Sequence, residues 1–205
     1  MKVLYILTTR MPTERAHGYQ IAKVCEKLSL LGAEVSLWYP KTEAEESKRE
    51  LFSFYGVKHN FSFRAIPYFL HHVVEGHIGY THFGLRNIFF FLALLTEKVS
   101  KDTIILTRSL EVAWIFSLRG NKVVYSAHNF PETRKWAVAF FLSRVRGIVA
   151  NSDGTATAFR KNGCAPIVTI RNGVELDDFL SLEKTKEELR SELSLPQGKK
   201  IILYT

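Results

Sequence analysis

Residues 122–129 read Lys-Val-Val-Tyr-Ser-Ala-His-Asn, and this stretch decides the fold class. Its apolar residues stand side by side instead of alternating with polar ones, which is typical of a strand buried on both faces of a sheet. Similar apolar runs occur at residues 104–106 and 148–150. Buried strands of this kind predict a parallel sheet covered by helices.

Amphipathic stretches lie between these runs. From residue 18 to residue 31, apolar side chains recur at helical spacing, and Gly32 follows. Further helices are predicted at 43–55, 85–99, 110–118 after a Ser109 N-cap, 132–144 and 153–161, and strands at 2–8, 34–39, 61–66, 103–107, 122–126, 147–150 and 167–170. Right-handed crossovers then give a Rossmann-like α/β fold, doubly wound around a mostly parallel sheet with helices on both faces.

The end of the sequence has a different character. Residues 184–193 predict an exposed charged helix, and residues 199–204 predict one more buried-type strand. We therefore assign residues 1–175 to an N-terminal domain and residues 176–205 to a linker, a helix and the first strand of a second, truncated domain. Without the rest of that domain, residues 199–205 are expected to be disordered or to borrow a neighbouring strand.

The composition excludes several classes of protein. The chain has 205 residues, of which 46% are hydrophobic and 23% charged, so it is neither disordered nor of low complexity. Its two cysteines, Cys25 and Cys164, form no disulfide framework and no zinc-site spacing. The longest apolar run, residues 88–95, is too short for a membrane span. We expect a cytoplasmic protein, with attachment to a membrane surface left open.

The charge indicates an anionic partner. The net charge is +8, and residues 119–171 hold nine basic and two acidic residues, a local +7. Phosphate, nucleic acid and lipid headgroups all fit such a charge. Nucleic acid is disfavoured because the aromatic residues cluster in apolar runs, at 88–95 and 136–141, instead of alternating with basic ones. These two runs suit buried helices or helices at a bilayer surface, and we expect burial.

Ligands of open α/β sheets bind beyond the carboxyl ends of the strands. Gly18 opens a helix whose N-terminus could bind an anion such as a diphosphate, or it is only a tight-turn glycine. His128 could hydrogen-bond a substrate hydroxyl, or it is a structural histidine. Five predicted strands end in polar segments, at residues 8–10, 107–109, 127–129, 151–153 and 171–173, and these supply Arg10, Arg108 and Arg171 as candidate phosphate ligands or solvated surface arginines.

Four of the seven histidines, His71, His72, His77 and His82, lie within twelve residues. Their spacing matches neither one helix face nor a known metal motif. We expect no metal site here, but a mobile loop that contacts substrate.

Taken together, the motifs resemble those of the retaining glycosyltransferases of glycosyltransferase family 4, which have the GT-B fold. The resemblance implies that His17 and Gly18 approach the donor diphosphate, that His128 contacts the donor sugar as the catalytic candidate, and that Asn172 and Gly173 line the cleft between two domains. Arg108 is a further candidate for binding the donor phosphates or lining the cleft. The candidates for binding the acceptor or lining the cleft are Arg10, Asn129 and Ser152. The motifs lie at residues 2–6, 16–18, 31–35, 123–129, 148–152, 170–179, 193–196 and 199–204.

The function implied by this resemblance is transfer of a hexose from a nucleotide-sugar donor to a saccharide or lipid-linked acceptor, with retention and without a metal or other cofactor. The chain would be the N-terminal, acceptor-binding half of a GT-B enzyme and inactive alone. An anionic membrane surface is a further expected partner, and nucleic acid is not. The alternatives are a non-catalytic basic α/β module that binds anionic lipid or nucleotide at a membrane, an inverting GT-B enzyme, or a nucleotide-sugar epimerase.

Overall fold

A computed structural model describes residues 1–42, 50–69, 80–131, 135–164, 166–176 and 184–202. The chain forms two compact units, residues 1–171 and residues 172–205. The first unit contains the sheet and the candidate site, and the second is a short segment with one described helix.

The first unit is built on one seven-stranded sheet in which the strands run in the order β3-β2-β1-β4-β5-β6-β7. All pairings are parallel. From β1 the chain first adds β2 and β3 on one side. It then returns to place β4 on the other side of β1, and it adds β5, β6 and β7 beyond β4. This topology confirms the predicted Rossmann-like α/β fold. The strands are β1 (Lys2–Ile6), β2 (Glu34–Pro40), β3 (Ser62–Ile66), β4 (Ile104–Thr107), β5 (Lys122–Ala127), β6 (Gly147–Ala150) and β7 (Ile167–Thr169).

Helices cover both faces of the sheet, as predicted. One core joins β1, β2 and β3 to the first two helices, and a second core on the other face joins the sheet to the remaining four. The helices of this unit are α1 (Ala16–Leu30), α2 (Leu51–Tyr55), α3 (Tyr80–Thr96), α4 (Leu110–Leu118), α5 (Lys135–Leu142) and α6 (Asp153–Lys161).

Local signals set several helix ends. Ser109 caps α4, because its Oγ accepts a hydrogen bond from the Val112 N–H at 3.2 Å. Gly32 follows α1 with a φ of 87°, a conformation that glycine adopts without strain. Two predicted helices are longer than the described ones, and their residues 43–49 and 132–134 lie outside the described residues.

The expectation that the central strands are buried on both sides is wrong for β4, β5 and β6. In these strands fully buried residues alternate with half-buried ones; Ile105 and Val123 are buried, whereas Ile104 and Val124 are not. The reason is that α1 and α2, which cover one face of the sheet, pack over strands β1 to β3. Of the residues in β4 to β7, Leu106 is the one that joins the core formed with these two helices.

The expectation that the apolar run 88–95 is buried is half wrong. Phe90 and Leu94 of α3 are buried against the sheet, but Leu85, Ile88, Leu92 and Leu95 are between 46% and 54% exposed. Periodicity cannot indicate which side of a helix is outward when all its sides are apolar. None of the described helices is both long and apolar enough to cross a bilayer.

The second unit contains α7 (Lys186–Glu192), close to the predicted helix, with a capping box between Thr185 and Glu188. The predicted strand at 199–204 is not formed over residues 199–202, and Ile202 is 95% exposed. A strand needs a hydrogen-bonding neighbour, and residues 172–176 and 184–202 include none. Residues 203–205 lie outside the described residues, and the assignment of 176–205 to the start of a donor domain stays a prediction.

Candidate functional site

The sheet brings three polar loops to one edge. Strands β1, β4 and β5 are neighbours, and because they are parallel their carboxyl ends lie at the same side. The loop after β1, Arg108 in the loop before α4 and His128 at the β5 exit therefore all lie at this edge. The point between β1 and β4, where the strand order reverses direction, is where ligands bind in open α/β sheets.

A cavity of about 190 Å³ lies at this reversal point. The buried residues of its lining are apolar, and the half-buried ones carry hydroxyl, imidazole and guanidinium groups. Such a combination of apolar surface with a few polar groups is typical of small-molecule sites. The lining residues are Ile6, Leu7, Thr8, Thr9, His17, Ile21, Arg108 and Ser109.

The loop after β1 is held by Tyr55 of α2. The Tyr55 hydroxyl accepts a hydrogen bond from Thr13 N–H at 2.6 Å and donates one to the Thr13 carbonyl at 2.8 Å. A Cβ on Gly18 would clash with this hydroxyl and lie 2.6 Å from Thr13 Cγ2. The Gly18 N–H donates to the Arg15 carbonyl at 2.8 Å. The structure thus gives Gly18 a packing role, and its contact with a diphosphate stays a prediction.

Arg108 is anchored by the protein itself. Its Nε donates to the Tyr5 hydroxyl at 3.2 Å and its Nη2 to Gln20 Oε1 at 2.9 Å. Burial raises the pKa of Tyr5, and the Arg108 charge partly opposes this shift. These contacts fix a positive charge at the cavity wall.

His17 lines the same cavity from the first turn of α1, and its Nε2 lies 3.4 Å from Thr9 Oγ1. Burial lowers the pKa of His17 below its ordinary value of 6.5, and the positive charges of Arg108 and Arg15 lower it further. The imidazole is therefore neutral at pH 7 and can either donate or accept a hydrogen bond.

His128 is held by a chain of hydrogen bonds from the neighbouring strand exit. The Thr155 hydroxyl donates to Asn151 Oδ1 at 3.1 Å, and Asn151 Nδ2 lies 3.4 Å from His128 Nδ1. Because an amide nitrogen only donates, Nδ1 is the acceptor, and this network assigns the proton to Nε2. Burial, and next the charge of Arg108, lower the pKa of His128 to about 4. A neutral His128 thus offers its Nε2–H as a donor.

Asn151 is the site residue that sequence reasoning missed. The sequence placed it in a polar strand exit but selected its neighbour Ser152. In the structure Ser152 is exposed and caps α6, its Oγ accepting from Thr155 N–H at 3.1 Å. The signal that distinguishes the two is strand order, because β6 lies beside β5 and its exit therefore reaches His128.

The other predicted residues are spread along the edge. Arg10 is half-buried in the loop after β1, and Asn129 is exposed beside His128. Arg171 forms an exposed ion pair with Asp153 at 2.9 Å. Asn172 and Gly173 belong to the second unit and are exposed, so their place in a cleft stays a prediction.

The histidine cluster cannot be compared with its prediction, since His71, His72 and His77 lie outside the described residues. Elsewhere, across the described parts of the chain, no three His, Cys, Asp or Glu side chains come together as metal ligands could.

Comparisons with known proteins agree with the fold. The sequence model of Glycosyltransferase Family 4 matches residues 18–178. No curated protein sequence matches the chain significantly.

Three solved structures share the fold at low identity. A sucrose-phosphate synthase from Thermosynechococcus elongatus has a TM-score of 0.67 and 14% identity, over 95% of this chain and 53% of that one. A UDP-N-acetylglucosamine 2-epimerase from Rickettsia bellii has a TM-score of 0.52 and 14% identity, over 96% and 52%. A ugt transferase from Siraitia grosvenorii in complex with UDP has a TM-score of 0.53 and 7% identity, over 94% and 54%. This chain spans about half the length of these structures.

Proposed function

Because the chain belongs to Glycosyltransferase Family 4, we propose that it is the N-terminal, acceptor-binding half of an enzyme that transfers a sugar from a nucleotide-sugar donor to an acceptor with retention. The observation that carries this proposal is a neutral His128 whose Nε2 carries the proton, at the carboxyl edge of the sheet that also holds the cavity at the reversal point.

Each group at this edge suits part of a sugar-transfer reaction. The His128 Nε2–H would donate to a hydroxyl of the donor sugar. The positive charge of Arg108 would attract the diphosphate, although its Nε and Nη2 are already engaged with Tyr5 and Gln20. At about 190 Å³ the cavity is smaller than a typical ligand pocket of about 300–1,000 Å³. It would therefore hold one ring or one phosphate of a larger ligand.

The finer features of the reaction are also part of this proposal. The donor sugar is a hexose, the acceptor is a saccharide or a lipid-linked acceptor, and no metal or other cofactor takes part. Residues 1–205 alone are expected to be inactive, because this chain spans about half of the structures it matches and positioning both substrates is most of the catalysis.

The test is His128→Ala in the complete enzyme. Loss of a donor that acts in the transition state is expected to lower kcat by about a hundredfold. His128→Gln keeps a side-chain N–H and should recover part of the loss. His59→Ala is the matched control, because His59 lies in the loop before β3, at the opposite edge of the sheet, stacked on Phe52.

Turnover is measured as release of nucleoside diphosphate, and the anomeric configuration of the product is read by NMR. Unchanged kcat in His128→Ala would remove His128 from the site. A product with inverted anomeric configuration would contradict retention but would still support sugar transfer. Nucleotide binding without any sugar transfer by the complete protein would instead support the non-catalytic module.

A further inference from the structure

Helix α3 presents an apolar stripe to solvent. Leu85, Ile88, Leu92 and Leu95 are between 46% and 54% exposed, and their spacing places them on one side of the helix, opposite Phe90 and Leu94. Arg86 is the one charged residue between positions 84 and 96, and it is half-buried, donating to the Thr8 carbonyl at 3.1 Å. The outward side of α3 is therefore uncharged between residues 84 and 96.

Helices α4 and α5 extend this apolar surface. Trp136 and Phe140 of α5 are 78% and 56% exposed, and the ring of Trp114 of α4 packs at a tilt against that of Phe140, with centroids 5.9 Å apart. Helix α4 packs against both α3 and α5, and all three cover the same face of the sheet. We define the outer helical surface as Leu85, Ile88, Leu92, Leu95, Leu118, Trp136 and Phe140.

A helix from the same face shows that this surface is not the ordinary exterior of the protein. In α6 the buried residues are Ala156 and Phe159, and the C-terminal turn ends in Arg160 and Lys161. It therefore has the usual division into an apolar inner side and a polar outer side. Single exposed apolar residues are common on protein surfaces, but a set shared by three adjacent helices marks an interaction surface.

The charges around this surface are positive. Lys135 begins α5 next to Trp136, and Arg144 and Arg146 follow the end of the helix; all three are exposed. Two acidic residues nearby are engaged: Glu97 pairs with Arg64 at 2.8 Å, and Glu111 accepts from Ser109 Oγ at 2.8 Å. The remaining described one, Asp102, is exposed in the turn between α3 and β4.

We propose that the outer helical surface docks this protein onto an anionic lipid bilayer. Tryptophan and phenylalanine side chains enter the boundary between headgroups and acyl chains, and lysine and arginine contact the anionic headgroups. Charge is what selects this partner, because a second copy of the chain would bring the same positive residues to the interface. The proposal is independent of the proposed reaction, since it concerns helices and not the sheet edge.

The surface also adjoins the candidate site. Arg86 joins the second turn of α3 to Thr8, which lines the cavity. Helix α5 directly follows the segment that begins with His128. Docking would therefore hold the carboxyl edge of the sheet close to the lipid headgroups, where a lipid-linked acceptor would present its sugar.

The test is flotation of the 205-residue chain with vesicles of phosphatidylcholine, with or without phosphatidylglycerol. We expect binding to the anionic vesicles only, and weaker binding as salt increases. Trp136→Ser and Phe140→Ser should each lower the partition coefficient by about tenfold, the loss expected for one large apolar side chain. Leu31→Ser is the matched control: Leu31 is 85% exposed but follows α1, on the other face of the sheet.

Charge variants and fluorescence supply independent readouts. Lys135→Gln and Arg146→Gln should each weaken binding about fivefold, whereas Lys58→Gln, an exposed lysine next to β3, should not. Anionic vesicles should shift the tryptophan emission to shorter wavelength, and Trp136→Phe should remove most of this shift while the protein still floats.

Three results would overturn the proposal. One is the absence of flotation with anionic vesicles. Another is an equal loss of binding in Leu31→Ser. The third is a lipid-free dimer that Trp136→Ser converts to a monomer, which would assign the surface to a second copy of the chain.

Discussion

Burial lowers the pKa of both candidate histidines, His17 and His128, and the guanidinium of Arg108 lowers it further. A charge in a half-buried position needs partners, and Tyr5 and Gln20 supply them without neutralising it. Its positive field therefore acts on two loops that are far apart in sequence. The result is a pair of neutral imidazoles, which suit hydrogen bonding to sugar hydroxyls.

Gly18 and Tyr55 should behave as a coupled pair. Gly18→Ala places a methyl group against the Tyr55 hydroxyl and should lower the free energy of unfolding by about 1–3 kcal/mol. Tyr55→Phe leaves the N–H and carbonyl of Thr13 without this partner and should cost a similar amount, about 1–3 kcal/mol. The double variant should lose less than the sum, because phenylalanine lacks the oxygen that the methyl group meets.

Urea denaturation of the two single variants and the double variant gives the coupling free energy. Gly84→Ala is the control, because a Cβ there meets nothing within 4 Å and alanine favours the helix by about 1 kcal/mol. If the losses of unfolding free energy in the Gly18 and Tyr55 variants are additive, contact with Tyr55 is not the reason why position 18 requires glycine.

Sequence reasoning selected Gly18 as a diphosphate contact or a tight-turn glycine, and it could not find the contact with Tyr55 that excludes a Cβ at this position. The contact is with a side chain on another helix, and nothing in the local sequence connects the two. The same holds for Asn151, whose role depends on which strand lies next to β5. Local patterns identify special residues, and the partners of those residues follow from topology.

At the level of elements, strands were predicted more accurately than the exposure of helices. The predicted β6 at 147–150 has the observed bounds, because its buried run ends sharply at polar residues. The existence of helix α3 was predicted, but the side that faces solvent was not, since leucine and phenylalanine occupy every side of this helix. The strand predicted at 199–204 is not formed over 199–202, because apolar composition does not supply a neighbouring strand, and its place in a second domain stays a prediction.

Thr107 joins two elements at the reversal point of the sheet. Its fully buried hydroxyl donates to the Ile6 carbonyl at 2.9 Å and accepts from Ser109 N–H at 3.1 Å. Thr107→Val preserves shape and strand preference but removes both bonds, so the free energy of unfolding should fall by about 1–3 kcal/mol. Thr96→Val, which removes an exposed bond to Ala93, should cost less. Equal losses, measured by urea denaturation, would contradict this role.

At the level of the whole molecule, the free energy of unfolding should depend on pH because of the two half-buried histidines. The folded-state pKa of His128 is about 4, against an ordinary value of 6.5, and that of His17 is shifted in the same direction. Between these values the unfolded chain binds protons that the folded chain does not. The free energy of unfolding should therefore fall as the pH is lowered from 6.5 towards 4.

Urea midpoints measured across this range test the expectation. His128→Gln should flatten the profile between pH 6.5 and 4, because glutamine binds no proton, and His59→Gln serves as the control. A profile that is unchanged in His128→Gln would show that His128 is not held neutral by the fold.

The sequence indicated the edge of the sheet at which the candidate site lies, because five of the predicted strands end in polar segments and the strands are parallel. It could not show that the exits of β1, β4 and β5 meet, since strand order is a property of the whole sheet. The predicted place of Asn172 and Gly173 in a cleft between two domains stays a prediction, because these residues belong to the second unit.

The position of β1 at the centre of the sheet has a consequence for synthesis. One neighbour, β2, follows it closely in the chain, whereas the other, β4, is made much later; the bond from Thr107 to Ile6 spans 101 positions. From the completion of β2 until that of β4, the growing polypeptide has an open edge in the middle of its future sheet. Open edges pair readily with foreign strands. A ribosome-bound chain is therefore open to such pairing at β1 throughout this interval.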